Sequence, residues 1–276
     1  MNRQELSERE MMEAIEKSGY LLESEITKLL ASKGYFLESN QSIFDTITNK
    51  SREIDLLAEY YEYDEIKAKN KVTATIHFVF EIKNNLYPLV LLTKLEFSPN
   101  TEIWNGLKEI STIPDGIKYE NYEGFYEELL QDEEFLYTQY CSFQKKKGNN
   151  QELMAIHPDN LHSGFAKITQ YCDEVVDRWN HDDDNDKEYF RHFLYIPILL
   201  INDSLYELDI DVNNITNLRK VESSKLIYNY YRLNEPKTSV IFVMTKKGLE
   251  DFLPKMRDLE NKIIEKMIEI KGHKNV

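Results

Sequence analysis

The sequence predicts an α/β fold, a mixed central β-sheet flanked by helices and carrying a largely helical insertion. Three observations lead there. Apolar runs rich in Val, Ile and Phe, at 72–82, 193–201 and 240–244, have the length and composition of buried strands. Helical periodicity brackets them, over 6–33 at one end and from about 247 to 270 at the other. The order helix, strands, helices, strands, helix describes one interrupted sheet rather than two independent domains. The expectation is therefore a single domain over 1–276, with a core at 6–98 and 190–276 and an insertion at about 100–190.

Element by element, Leu22, Ile26, Leu29 and Leu30 recur at helical spacing, and Gly34 suits the end of that helix. Tyr35-Phe36-Leu37 opens a strand, and 45–51 reads as a polar turn. Residues 53–60 form a strand with an apolar centre, and 62–71 a charged hairpin loop. Val72–Ile82 is the clearest strand, and the next element begins over Pro88–Leu92. The middle third, broken by Pro99, Pro114 and Pro158, shows helical patterns near 120–138 and 162–180. Strands return at 193–201, 205–210, 226–233 and 240–244, before a final amphipathic helix.

Composition narrows the function classes. The net charge of −15 argues against a basic protein that coats nucleic acid. It leaves room for a carboxylate-built site, with weak binding to bare nucleic acid, since Lys145-Lys146-Lys147 is the only cation run. Cys141 and Cys172 fit two reduced thiols in a cytoplasmic protein. The charged N-terminal stretch has no apolar signal core, and no run is long enough to span a membrane.

Chemistry concentrates at Phe78-Val79-Phe80-Glu81-Ile82-Lys83. Side chains repeat every second residue in a strand, so Glu81 and Lys83 share a face while Ile82 points away. Asp55 sits in another apolar strand, and pairing of the two strands would bring it to Glu81. Two carboxylates suit Mg²⁺, which takes few protein oxygens and keeps several waters. Lys83, with two negative neighbours, is expected to serve electrostatically beside an attacking water rather than as a general base. The same Glu-x-Lys triplet at Glu65, Glu235, Glu260 and Glu269 is expected in polar loops or on a surface helix, where a charge pair is usually just solvated.

With Asp55 and the upstream helix added, the pattern resembles the PD-(D/E)XK nuclease superfamily, the restriction-endonuclease-like fold. That superfamily orders a helix carrying Glu, a strand with the first Asp, then a strand ending in (D/E)xK. The matching segments are Gly19–Glu23, Lys50–Ala58 and Phe80–Asn85, within about residues 18–95. Asp45 resembles a recurrent acidic position, and Pro197–Ile201 with Leu205-Tyr206-Glu207 a later sheet segment. Ile54 stands where the family's name has Pro, a proline often missing.

The resemblance implies phosphodiester hydrolysis, usually of DNA and often in defence against foreign DNA, with Mg²⁺ or Mn²⁺. Asp55, Glu81 and the backbone carbonyl of Ile82 would bind metal, Lys83 would serve the nucleophile, and Glu23 would bind metal through water or a second ion. Glu25 competes with Glu23 for that place. Cleavage of RNA and a non-catalytic nuclease-like binding or assembly module are the alternatives, and a protein partner or homo-oligomer is compatible with either.

Other features have plainer readings. Asp182, Asp184 and Asp186 have the first spacings of a calcium loop, but Lys187 and Phe193 stand where Gly and Glu are needed. His157 and His162 lack zinc-spaced partners. Ser163-Gly164 lacks a nucleophile-elbow context, and no phosphate-binding glycine loop is present. Tyr228, Tyr230 and Tyr231 could stack bases but suit a strand core. Arg52, three residues before Asp55, is expected on the opposite strand face.

Overall fold

The computed structural model describes residues 6–45, 50–60, 65–96, 106–117, 135–146, 152–180, 188–202, 204–210 and 216–273. In chain order the elements are α1 Glu8–Ser18, α2 Tyr20–Ser32, β1 Tyr35–Asp45, β2 Lys50–Tyr60, α3 Glu65–Asn70, β3 Val72–Lys83, β4 Leu89–Glu96, β5 Lys108–Thr112, β6 Phe135–Lys145, β7 Leu153–Ile156, α4 Asp159–Asn180, β8 Phe190–Ile201, β9 Leu205–Ile210, β10 Thr216–Val221, β11 Ser223–Arg232, β12 Glu235–Thr245 and α5 Lys246–His273. The architecture is α/β, a large mixed sheet flanked by helices.

The sheet runs β1-β2-β3-β8-β12-β11-β6-β4-β9-β10, with β5 added to β8 and β7 to β6. β1, β2 and β3 form an antiparallel meander. After α4 the chain returns as β8, parallel to β3 over its full length from Val72↔Phe190 to Lys83↔Ile201. On its other edge β8 pairs β5 along its first half and β12 along its last residues. Two cores result. Leu22, Ile26 and Leu30 of α2 and the apolar stripe of α5 cover one face. Leu161, Phe165, Ile168 and Cys172 of α4 cover the other. β3 alternates buried and half-buried residues at first, then is buried on both faces from Phe78 to Ile82. Parallel strands covered on both sides read as continuous apolar runs for this reason.

Several expectations need correcting. The helix over 6–33 is two helices. Gly19 breaks it with φ 93, a left-handed conformation that glycine adopts without steric cost. An added Cβ there would lie 3.3 Å from Cβ of Asn84, so the break also lets the chain approach the end of β3. A capping box starts α1, with Ser7 Oγ accepting from Glu10 N at 3.2 Å and Ser7 N donating to Glu10 Oε2 at 2.9 Å. Within 62–71 the described residues form α3 rather than a loop.

The interval expected as largely helical contributes three strands, β5, β6 and β7, and one helix, α4, among the described residues. The pattern near 120–138 falls mostly outside them, and its last residues, 135–138, belong to β6. Phe, Tyr and Thr favour a pleated, half-buried surface, and sheet pairing with β4 and β11 decides the outcome. The edge strand β10 was not expected. Its residues are almost all exposed, so no apolar alternation announces it, and pairing with β9 defines it.

Candidate active site

The antiparallel ladder between β2 and β3 runs from Glu59↔His77 to Leu56↔Phe80. At the next step the Asp55 side chain substitutes for a backbone acceptor. Its Oδ2 accepts a hydrogen bond from Ile82 N at 2.8 Å. The N–H and C=O of one strand residue point to the same edge, so the Ile82 carbonyl faces the Asp55 side. Glu81 and Lys83, on the α4 face of β3, form an ion pair through Glu81 Oε1. Glu81 is 2% exposed, unusual for a carboxylate and demanding charge partners.

The backbone beside Asp55 is distorted. Asn40 of β1 stands opposite it in register, between the pairs Ser39↔Leu56 and Gln41↔Ile54, and has φ 55. Side-chain alternation reverses here. Ile54 packs with the α4-side core, whereas Leu56, two residues on, packs with the α5-side core. In β1, Leu37 and Ile43 show the same reversal although their spacing is even. The reversal brings Arg52 to the α4 side with Asp55, contrary to expectation. Arg52 Nη1 donates to Ser163 O at 3.5 Å.

Helix α4 supplies a residue that the sequence did not single out. Lys167 Nζ donates to Asp55 Oδ1 at 2.8 Å and forms an ion pair with Glu81 Oε2. One turn earlier, Gly164 lies against Glu81. An added Cβ would come within 2.9 Å of Glu81 Cγ and Oε1. Glycine inside a helix costs about 1 kcal/mol relative to alanine, so an internal glycine marks a close approach. That was the legible signal, since Gly164 and Lys167 share a helix face. Burial alone would pull the Lys167 ammonium down, but Glu81 and Asp55 more than offset it and hold it above the ordinary lysine value.

Glu23, in the first turn of α2, is half-buried. Burial, then the charge of Asp55, pushes its carboxyl above the ordinary range, with Glu81 adding to this and Lys83 and Lys167 opposing it. Glu25 instead accepts from Lys246 Nζ at 3.0 Å on the surface. The structure therefore places Glu23, not Glu25, in the field of the cluster. Asparagines brace the chain beyond Lys83. Asn202 Nδ2 donates to Asn84 Oδ1 at 2.7 Å, and Asn84 Nδ2 donates to Glu16 O at 2.8 Å, tying β3, β8 and α1 together.

Asp55 and Glu81 converge, and Glu23 stands back from them. Among the described residues no group of three His, Cys, Asp or Glu side chains is close enough to share one ion. Two converging carboxylates nonetheless match what Mg²⁺ takes from a protein. One buried atom points the same way. Glu81 Oε2 is buried and its partner is the Lys167 ammonium, a cation. A cation is the natural partner of such an oxygen, so the donor set fits a divalent ion.

The remaining candidates lie elsewhere. The His157 ring lies tilted against Tyr140, and the His162 ring meets Tyr228 edge-on. Tyr230 is tied to Asp173 by a 2.6 Å hydrogen bond, whereas Tyr231 is exposed. Cys141 and Cys172 are free thiols, both pushed up by burial. The run 182–186 and the side chain of Asp45 lie outside the described residues. No described helix is long and apolar enough to cross a membrane. Comparison with protein-family models, curated proteins and solved structures finds no match.

Proposed function

We propose that this chain is a metal-dependent nuclease of the restriction-endonuclease-like fold, hydrolysing phosphodiester bonds in DNA. One observation carries the reading. Asp55, Glu81 and Lys83 meet at one point at the end of β3, with Glu23 in their field, on elements in the order that the PD-(D/E)XK resemblance implies. Asp55, Glu81 and the Ile82 carbonyl would hold Mg²⁺ or Mn²⁺. When bound, such an ion acidifies water and neutralises charge building on a phosphate. Lys83 orients the attacking water by hydrogen bonding and offsets charge developing in the transition state. Its partial exposure gives it access to a substrate.

The test is incubation of circular and linear DNA, and of RNA, with Mg²⁺ or Mn²⁺, beside a Lys83→Ala control. Cleavage confined to the wild-type protein supports the reading. Cleavage of RNA alone moves the substrate class but keeps the site. A second reading, a non-catalytic nuclease-like module, draws on Lys167, whose ammonium already bridges both carboxylates. Cleavage of neither polymer together with no Mn²⁺ binding would favour it.

A further inference from the structure

We propose that Lys167 is a built-in counter-ion, holding Asp55 and Glu81 together in the metal-free protein and yielding its place when a divalent cation binds. The proposal rests on reading those carboxylates as metal ligands, and it names what controls their affinity.

The geometry is that of a stand-in. The Lys167 ammonium lies 2.8 Å from Asp55 Oδ1 and in contact with Glu81 Oε2, between the oxygens that a divalent ion would share. Mg²⁺ requires its oxygen ligands at about 2.0–2.1 Å, so one oxygen pair cannot serve both cations in this arrangement. Charge points the same way. Asp55 and Glu81 are already balanced by Lys83 and Lys167, so a dication arriving with Lys167 in place would enter a site with no net negative charge from these four groups.

Position shows why the lysine stays. Its side chain is 11% exposed, and glycine at 164 lets α4 lie directly on Glu81. Without an ammonium there, two carboxylates would share a largely buried site with one cation fewer to balance them, a costly arrangement. Lysine suits a displaceable counter-ion because its ammonium is a compact charge on a flexible stem, without the rigid fork of arginine.

The experiment is calorimetric titration of Mn²⁺ into the wild-type protein, Lys167→Met, Lys167→Arg and Asp55→Asn, each checked by circular dichroism and thermal melting. Lys167→Met is expected to bind Mn²⁺ on the order of tenfold or more tighter than wild type, because a competing charge is gone. Without metal it melts below wild type, and Mn²⁺ raises its melting temperature more than it raises that of wild type. Lys167→Arg, still charged and less readily displaced, binds no tighter than wild type, and Asp55→Asn binds more weakly. Should Lys167→Met not fold, Lys167→Gln, neutral but still a donor, takes its place with the same expectation. Equal or weaker binding in the neutral variants, with Asp55→Asn still impaired, overturns the counter-ion and leaves the metal site standing. Absence of Mn²⁺ binding in all four proteins overturns both.

Discussion

Glu81 meets a lysine from each side, Lys83 on its own strand and Lys167 from α4. Its charge is therefore held by neighbours rather than by water, and conservative neutral replacements separate charge from shape. Asp55→Asn keeps an oxygen able to accept from Ile82 N, and Glu81→Gln keeps its volume. Both are expected to fold and to lose cleavage by about a thousandfold or more, the scale on which metal and electrostatic stabilisation act. A gel assay beside a circular dichroism spectrum checks this. A second carboxylate gives a stability test unrelated to the site. Glu260 of α5 is buried, accepts from Ile76 N at 3.2 Å, and is pushed up to about 7 by burial. A carboxyl raised on folding contributes stability fully below its unfolded value of 4.5, and that contribution is lost as pH rises through about 7. Glu260→Gln should therefore melt near wild type at about pH 4.5 and above wild type at about pH 8, where it is more stable by roughly 3 kcal/mol. Equal melting temperatures at the higher pH would count against it.

Among the elements, α4 carries the site's least expected part. Gly164→Ala places a methyl group against Glu81, so either the helix or the carboxylate must shift. The expected result is about 1–3 kcal/mol of destabilisation with cleavage down about a hundredfold, because small misplacements of reacting groups are costly. Chemical denaturation and initial rates measure the two effects. Ser163→Ala, whose hydroxyl donates only to Asn160 O of its own helix among the described contacts, serves as the neighbouring control. How much was legible follows from the same elements. Glu81 and Lys83 were readable because a two-residue repeat at the end of an apolar run fixes their face without knowledge of the fold. Asp55 was readable as a carboxylate in a second apolar strand. Lys167 was marked only indirectly, by Gly164 on the same helix face, because helix periodicity gives a face but not the strand end it covers. The reversal of alternation at Asn40 and Asp55 was also hidden, since it belongs to a pair of strands. It is why Arg52 lies on the face opposite to the one its spacing implied. Strand β6 was missed because cross-strand pairing, not local pattern, decides it.

At the scale of the whole molecule, the chain has a net charge of −15, and the site proposed on it would take a polyanion. Affinity for DNA without divalent ions should be weak and only shallowly dependent on salt, with few phosphates neutralised by lysine or arginine. Fluorescence anisotropy across ionic strength, with and without Ca²⁺ as a bridging ion, measures this. A steep salt dependence without metal would reveal a basic surface that the charge balance does not suggest. The central claim is that Asp55, Glu81 and Lys83 form a metal-dependent phosphodiesterase centre. The most direct measurement is conversion of supercoiled plasmid to nicked or linear forms by the wild-type protein and by Glu81→Gln, with Mg²⁺, with Mn²⁺ and with excess chelator. The account predicts conversion by the wild-type protein alone, abolished by chelator. Equal metal-dependent conversion by Glu81→Gln would contradict it.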